Sequence, residues 1–177
     1  RGEVLDPSES ARMAVTLEVL DRVAEQNEKV LVFLESLDLQ AAAQLPTILA
    51  RRYGLKCLPM IINGGVGTQA RQDRVDRFQR EAGFDVMLLS PKAGGVGLTL
   101  TAANHVIHLS RWWNPAVEDQ CSDRVYRIGQ SKDVHIYYPM AVLPETPEQS
   151  FDLQLQLLME RKRELARHLL APPDRER

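Results

Sequence analysis

The chain of 177 residues has little sulfur, few aromatic residues and no excess of either charge. Its two cysteines, Cys57 and Cys121, are far apart and lack ligand-like neighbours, which excludes a disulfide scaffold and a cysteine-based metal cluster. Both are expected to be reduced, half-buried thiols of a cytoplasmic protein. No apolar run is long enough to span a bilayer, and no signal peptide is visible. The formal net charge is −2, so any surface for a polyanion has to be a local patch. No cluster with metal-ligand spacing is found.

What remains is ordinary for a single globular domain: 44% hydrophobic and 26% charged residues. The sequence opens at Arg1 without a methionine, as expected of a piece of a longer protein.

Short apolar runs alternate with helical patterns. "KVLVFL" from Lys29, "CLPMII" from Cys57, "DVMLLS" from Asp85, "HVIHL" from His105 and "DVHIYYPM" from Asp133 read as strands. Pro59 assigns the second to an edge or a strand end. Between them lie helices. One opens with Asp6, Pro7 and Glu9 and carries Met13, Leu17, Leu20 and Ala24. Another includes Pro46 and ends at Gly54, and a third buries Val75, Phe78 and Ala82 and closes at Gly83. Asn114 and Pro115 start a helix expected to run to Ile128. A closing helix carries Phe151, Leu155, Leu158, Leu165 and Leu169 as its apolar stripe. Alternation of this kind predicts an α/β fold, a parallel sheet with helices on both faces, plus a C-terminal helix. The expected division is an N-terminal helix over residues 1–28, the lobe proper over 29–140, and a linker with the closing helix over 141–177.

Two stretches invite chemistry. In "QCSDRVYRIGQ", continuation of the helix would put Gln120, Asp123, Arg124 and Arg127 on one side. Two guanidiniums there suit a phosphate chain, because each fork binds two oxygens and stays charged. A solvated helix face with an Asp123–Arg127 pair fits the same spacing. In "PKAGGVGLTL", Gly94, Gly95 and Gly97 permit close backbone approach to a phosphate, or form a plain turn. His105 and His108 fall on opposite faces of a strand and read as structural. Trp112 and Trp113 read as one core and one interface residue. Lys29, Arg71, Arg74 and Arg77 are candidates for a basic patch, and "ERKRELAR" is first a charged helix face.

Together these stretches resemble the second, RecA-like motor lobe of SWI/SNF-type helicase-like ATPases of superfamily two. The resemblance runs from about Lys29 to Tyr138. Ser90, Lys92, Gly94, Gly95, Gly97 and Leu98 match the family's fifth motif. Gln120, Asp123, Arg124, Arg127, Ile128, Gly129 and Gln130 match its sixth. "RWWNPAVEDQ" is similar to a bacterial form of the linker between them. Gly64, Arg71, Asp76 and Phe78 match a shorter upstream pattern.

The resemblance implies a double-stranded-DNA translocase driven by ATP and Mg2+. Arg124 and Arg127 would be the arginines that reach ATP across the interface with a first lobe. Gln120, Asp123, Gly95 and Gly97 would belong to the nucleotide-facing surface. Ser90, Lys92, Ala93, Gly94, Gly64 and Arg71 would meet the DNA backbone. A cytoplasmic, nucleoid-associated location follows. Gly64, Gly65 and Val66 stand where relatives have Gly-Ser-Thr, Thr99 where many have asparagine, and Ser110 where many have aspartate. No phosphate-loop lysine motif and no Asp-Glu magnesium motif occurs in the chain. Both belong to the first lobe, so this piece alone is expected not to hydrolyse ATP. An inert docking lobe and an RNA helicase lobe are the alternative readings.

Overall fold

The computed structural model describes residues 10–41, 44–92 and 97–170. The helix-start residues Asp6, Pro7 and Glu9 lie outside these. The element order is α1 (Ala11–Glu25), β1 (Lys29–Phe33), α2 (Leu37–Gln40), α3 (Leu45–Tyr53), β2 (Met60–Ile62), α4 (Thr68–Arg80), β3 (Asp85–Leu89), β4 (His105–His108), α5 (Pro115–Ser122), β5 (His135–Tyr137) and α6 (Phe151–Leu170), with a 3-10 turn at Pro147–Gln149. The five strands form one parallel sheet in the order β2-β3-β1-β4-β5. Pro59 is followed directly by β2, which is an edge strand as expected.

β1 is buried along its whole length and feeds two cores by strict alternation. Leu31 and Phe33 join Met87, Leu89, Val75, Phe78, Leu98, Leu100 and Val125 on one face. Val30 and Val32 join Leu20, Val23, Leu49, Val86 and Leu88 on the other, under α1 and α3. A RecA-like sheet covered on both faces is therefore what the sequence folds into.

Local chemistry sets several boundaries. Gly54 stops α3 in the left-handed conformation at φ 59°. The buried Lys29 ammonium donates to the carbonyls of Phe78 and Glu81, binding the C-terminal end of α4 to the start of β1. α4 ends at Arg80, three residues before the expected closure at Gly83, and Ala82 is exposed.

Two expectations fail. Cys57 is exposed and Cys121 is buried, so neither thiol is half-buried. In α6 the inward line is Asp152, Leu155 and Met159, whereas Phe151, Leu158, Leu165 and Leu169 face solvent. Asp152 turns inward because Arg12 donates to it from α1 and the Ala141 amide donates at 2.6 Å. Among the described residues no helix is long and apolar enough to cross a membrane.

Candidate functional site

The Asn114 side chain accepts from the Ala116 amide at 3.1 Å and Pro115 occupies the first turn, so α5 starts as read. It ends at Ser122, six residues before Ile128. The carbonyl of Arg124, which a longer helix would offer to Ile128, accepts instead from the Leu100 amide at 2.9 Å. Val125 is drawn into the core, and Gly129 completes the turn at φ 101°.

The four-residue stripe is thereby corrected. Gln120, Asp123 and Arg127 are exposed, and Arg124 is 2% exposed. The Arg124 Nε is buried without a hydrogen-bond partner. Burial draws its pKa down against the pull of the Cys121 thiol, and the charge of Arg127 adds to the downward push. The same burial raises the Cys121 thiol to about 11 although Arg124 favours its thiolate. Arg127 bends back over the end of the glycine stretch. Its Nη1 donates to the carbonyl of Gly97 at 3.1 Å, to that of Leu98 at 3.4 Å and to the Thr99 hydroxyl at 3.0 Å. Gln130 fastens the far side by donating to the carbonyls of Thr101 and Ala103 at 3.2 and 2.7 Å.

A second group gathers where β1, β2, β3 and β4 end. Lys92 is 73% exposed, lies 3.5 Å from Glu35 and sits over the Trp112 ring at 5.1 Å. The Glu35 amide donates to the Ser110 hydroxyl at 3.0 Å, so the serine found in place of aspartate supports this loop. Ser90 is half-buried, and its amide donates to the Ile62 carbonyl at 2.9 Å. Gly64 is exposed in the neighbouring turn. Arg71 is half-buried and donates to the Val66 carbonyl at 3.1 Å, which fixes that turn from inside. Ala93, Gly94 and Gly95 lie outside the described residues.

The wider basic patch does not form. Lys29 is buried, Arg74 donates to the Ile61 carbonyl, and Arg77 pairs with Glu81 at 2.9 Å. His105 and His108 are buried and structural: His105 meets Glu28 at 2.6 Å and His108 meets Ser122 at 3.0 Å. Trp112 is half-buried and Trp113 is 57% exposed, edge-on to Phe151 at 5.8 Å.

Sequence reading misses Glu118. Its side chain is fully buried on α5 and accepts from Arg111 Nε at 2.7 Å and from Arg163 Nη2 at 3.2 Å. The Asn114 cap places it one turn into the helix, but nothing local reveals that its partners come from β4's exit and from α6. Thr99 is missed as an acceptor for Arg127 in the same way.

The donors gathered around the arginine segment suit an anion. An orphaned, buried guanidinium nitrogen calls for an acceptor, and a phosphate chain supplies several. Among the described residues no group of His, Cys, Asp and Glu is placed to hold a metal ion.

The fold and the site define a RecA-like lobe with two arginines beyond α5 and a loop-lined strand edge. Residues 12–129 match the family model described as helicase conserved C-terminal domain. The chain belongs to this family, as a C-terminal lobe of the SNF2 type. It is 44% identical over 153 residues to the Zorya protein ZorD of Escherichia coli O139:H28, covering 83% of this chain and 14% of that protein. It is 40% identical over 147 residues to YwqA of Bacillus subtilis, whose name describes an ATP-dependent helicase/translocase, covering 83% and 15%. The SWI2/SNF2 ATPase core domain of Sulfolobus solfataricus superposes with a TM-score of 0.69 at 28% identity, over 95% of this chain and 32% of that one. The chain thus spans about a seventh of the length of these two relatives.

Proposed function

We propose that this chain is the second motor lobe of an ATP-dependent double-stranded-DNA translocase. Arg124 and Arg127 act on ATP held by a first lobe of the same protein. Gln120, Asp123, Gly95 and Gly97 complete the nucleotide-facing surface. Ser90, Lys92, Ala93, Gly94, Gly64 and Arg71 follow the DNA backbone. The observation that carries the reading is the orphaned Nε of Arg124, buried beside an exposed Arg127.

Bound ATP and Mg2+ would supply the phosphoanhydride and its counter-charge, with carboxylate ligands for the metal coming from a first lobe. The part of this chain is to bring cationic donors to the outer phosphate oxygens as the lobes close. Charge developing on those oxygens then meets fixed positive partners where water is excluded. To do so Arg127 exchanges the Gly97, Leu98 and Thr99 acceptors for phosphate oxygens. Lys92 exchanges Glu35 for a DNA phosphate, a contact that tracks the duplex without reading its sequence.

The test is ATP turnover by the full-length protein with duplex DNA, with RNA and with neither. Stimulation by duplex DNA that is lost in Arg124→Ala and Arg127→Ala supports the reading. Preferential stimulation by RNA makes it an RNA helicase lobe, and turnover indifferent to both arginines makes it a docking lobe. The 177-residue chain alone is expected to hydrolyse no ATP above a buffer blank.

A further inference from the structure

The arginine segment hangs from the last turn of α5, and α5 is held from behind. The fully buried Glu118 carboxylate ties α5 to two other segments at once. Its Oε1 accepts from Arg111 Nε at 2.7 Å and from the Trp112 amide at 3.3 Å, both in the loop leaving β4. Its Oε2 accepts from Arg111 Nη2 at 3.4 Å and from Arg163 Nη2 on α6 at 3.2 Å. The Arg163 fork also grips Asp119, from Nε at 3.0 Å and from Nη2 at 2.8 Å. A carboxylate without solvent is stable as an anion only while its cations stay in place, so this node fixes geometry more firmly than a surface pair.

The node connects forward. The Glu118 carbonyl accepts from the Ser122 hydroxyl at 3.1 Å. The Ser122 carbonyl accepts from the Val125 and Tyr126 amides at 3.0 and 3.2 Å. Val125 and Tyr126 are the two residues between Arg124 and Arg127. Arg124 follows Glu118 by six positions, two of them beyond the end of α5 at Ser122. α6 is also held by Gln156, which accepts from Arg111 Nη2 at 2.8 Å, by Lys162, which donates to the Trp113 carbonyl at 2.5 Å, and by Asp152, on Arg12 and the Ala141 amide, three turns before Arg163.

We propose that Glu118 is a positioning residue for the arginine segment and that α6, through Arg163, sets where Arg124 and Arg127 stand relative to ATP. This rests on the proposed role of those arginines. It adds that residues far along the sequence, touching neither nucleotide nor DNA, govern the chemical step.

The experiment uses the full-length protein. It measures kcat and KM for ATP with saturating duplex DNA, beside a thermal melt, for Arg163→Ala, Arg163→Lys and Arg163→Met. Arg163→Met keeps the packing of a side chain that is 22% exposed. Arg161→Ala, an exposed neighbour on α6, is the control. Arg163→Ala and Arg163→Met are expected to lower kcat on the order of 10-fold, as misplacement of a catalytic group does, with KM and DNA affinity unchanged. Arg163→Lys recovers most of kcat, and Arg161→Ala matches the parent. In an Arg124→Ala/Arg127→Ala background the Arg163→Met change costs nothing further, because both groups it positions have gone.

Normal kcat in Arg163→Met, or equal losses with and without the Arg124–Arg127 pair, overturns the inference. So does a loss in all three variants that follows the melting temperature alone. If Arg127→Ala itself leaves turnover intact, the functional reading falls with it. A normal Arg163→Met beside a dead Arg127→Ala overturns the positioning role only.

Discussion

The Nη1 of Arg127 lies 3.0 Å from the Thr99 hydroxyl, so the exposed arginine of the pair is tethered to the end of its own glycine loop. The tether is one hydrogen bond from a charged donor at an exposed site, worth on the order of 1 kcal/mol. If the arginine's work lies on phosphate, the tether is dispensable and the guanidinium is not. Thr99→Val is therefore expected to leave full-length turnover within about twofold, whereas Arg127→Ala lowers it on the order of 10³-fold. Both variants should melt close to the parent. Equal damage from the two would make the loop contact the reason for the arginine.

Arg124 predicts the reverse balance between stability and activity. Its guanidinium is buried, its Nε is unpartnered and burial lowers its pKa, so the lobe carries an uncompensated cost there. Arg124→Met keeps most of the volume and removes the charge. The isolated chain should gain about 1 kcal/mol, or roughly 2–4 °C in Tm for a domain of this size, while the full-length protein loses turnover. Calorimetry of the chain beside an ATPase assay checks both halves. A Tm several degrees lower would show that Arg124 holds the core together.

The sheet and its order of elements were legible because the signals are local. "KVLVF" and "DVMLL" are continuous apolar runs, and both proved to be inner strands buried on two faces. Asn114 with Pro115 and Gly54 marked helix ends by backbone chemistry that needs no tertiary partner. The arginine segment was legible as residues but not as geometry. α5 stops early because Leu100 claims the Arg124 carbonyl, a bond between parts of the chain 24 residues apart. Glu118 and Asp152 were unreadable for the same reason. A buried carboxylate is defined by its cations, and Arg163 and Arg12 come from elsewhere in the chain. The α6 stripe was misjudged because apolar spacing marks a face without saying which way it turns, and Asp152 decided the turn.

Lys92 and Arg71 separate two kinds of basic residue. Lys92 is exposed and has to release only Glu35, whereas Arg71 is half-buried and already donates from Nη2 to the Val66 carbonyl, so its contact with a DNA phosphate is the shorter-reaching of the two. The isolated chain should bind duplex DNA weakly, without sequence preference, and with affinity that falls steeply as salt rises. Lys92→Ala should reduce the slope of log affinity against log salt by about one. Arg77→Ala, paired with Glu81 near the opposite edge of the sheet, should leave the slope alone. A salt-independent affinity, or a slope untouched by Lys92→Ala, would remove Lys92 from the DNA surface.

His108 gives the fold a pH dependence on the acid side of neutrality. The ring is 1% exposed, stacked between Phe33 at 5.5 Å and Tyr138 at 5.0 Å, and its Nε2 meets the Ser122 hydroxyl at 3.0 Å. Burial pushes its pKa down to about 4; Glu118 and Asp119 pull it up, and Arg111 and Arg163 push it down. Above about 6.5 the histidine is neutral folded or unfolded and stability is at its full value. As pH falls below that, the unfolded chain takes up a proton that the fold refuses, so stability drops until about pH 4 and then levels. Between pH 7 and 5 the loss from this residue is about 2 kcal/mol. Burial lowers the His105 pKa as well, which acts in the same direction, while the raised Asp85 carboxyl acts against both. Glu28, held at about 2 by its hydrogen bonds to Lys132, Asn104 and His105 against the effect of burial, contributes only below its ordinary range. Urea unfolding of the chain at pH 7, 6 and 5 should therefore show a fall that shrinks in His108→Gln. Parallel curves for the two proteins would mean that His108 takes up its proton within the fold, and that the node behind the arginine segment is wetter than its burial implies.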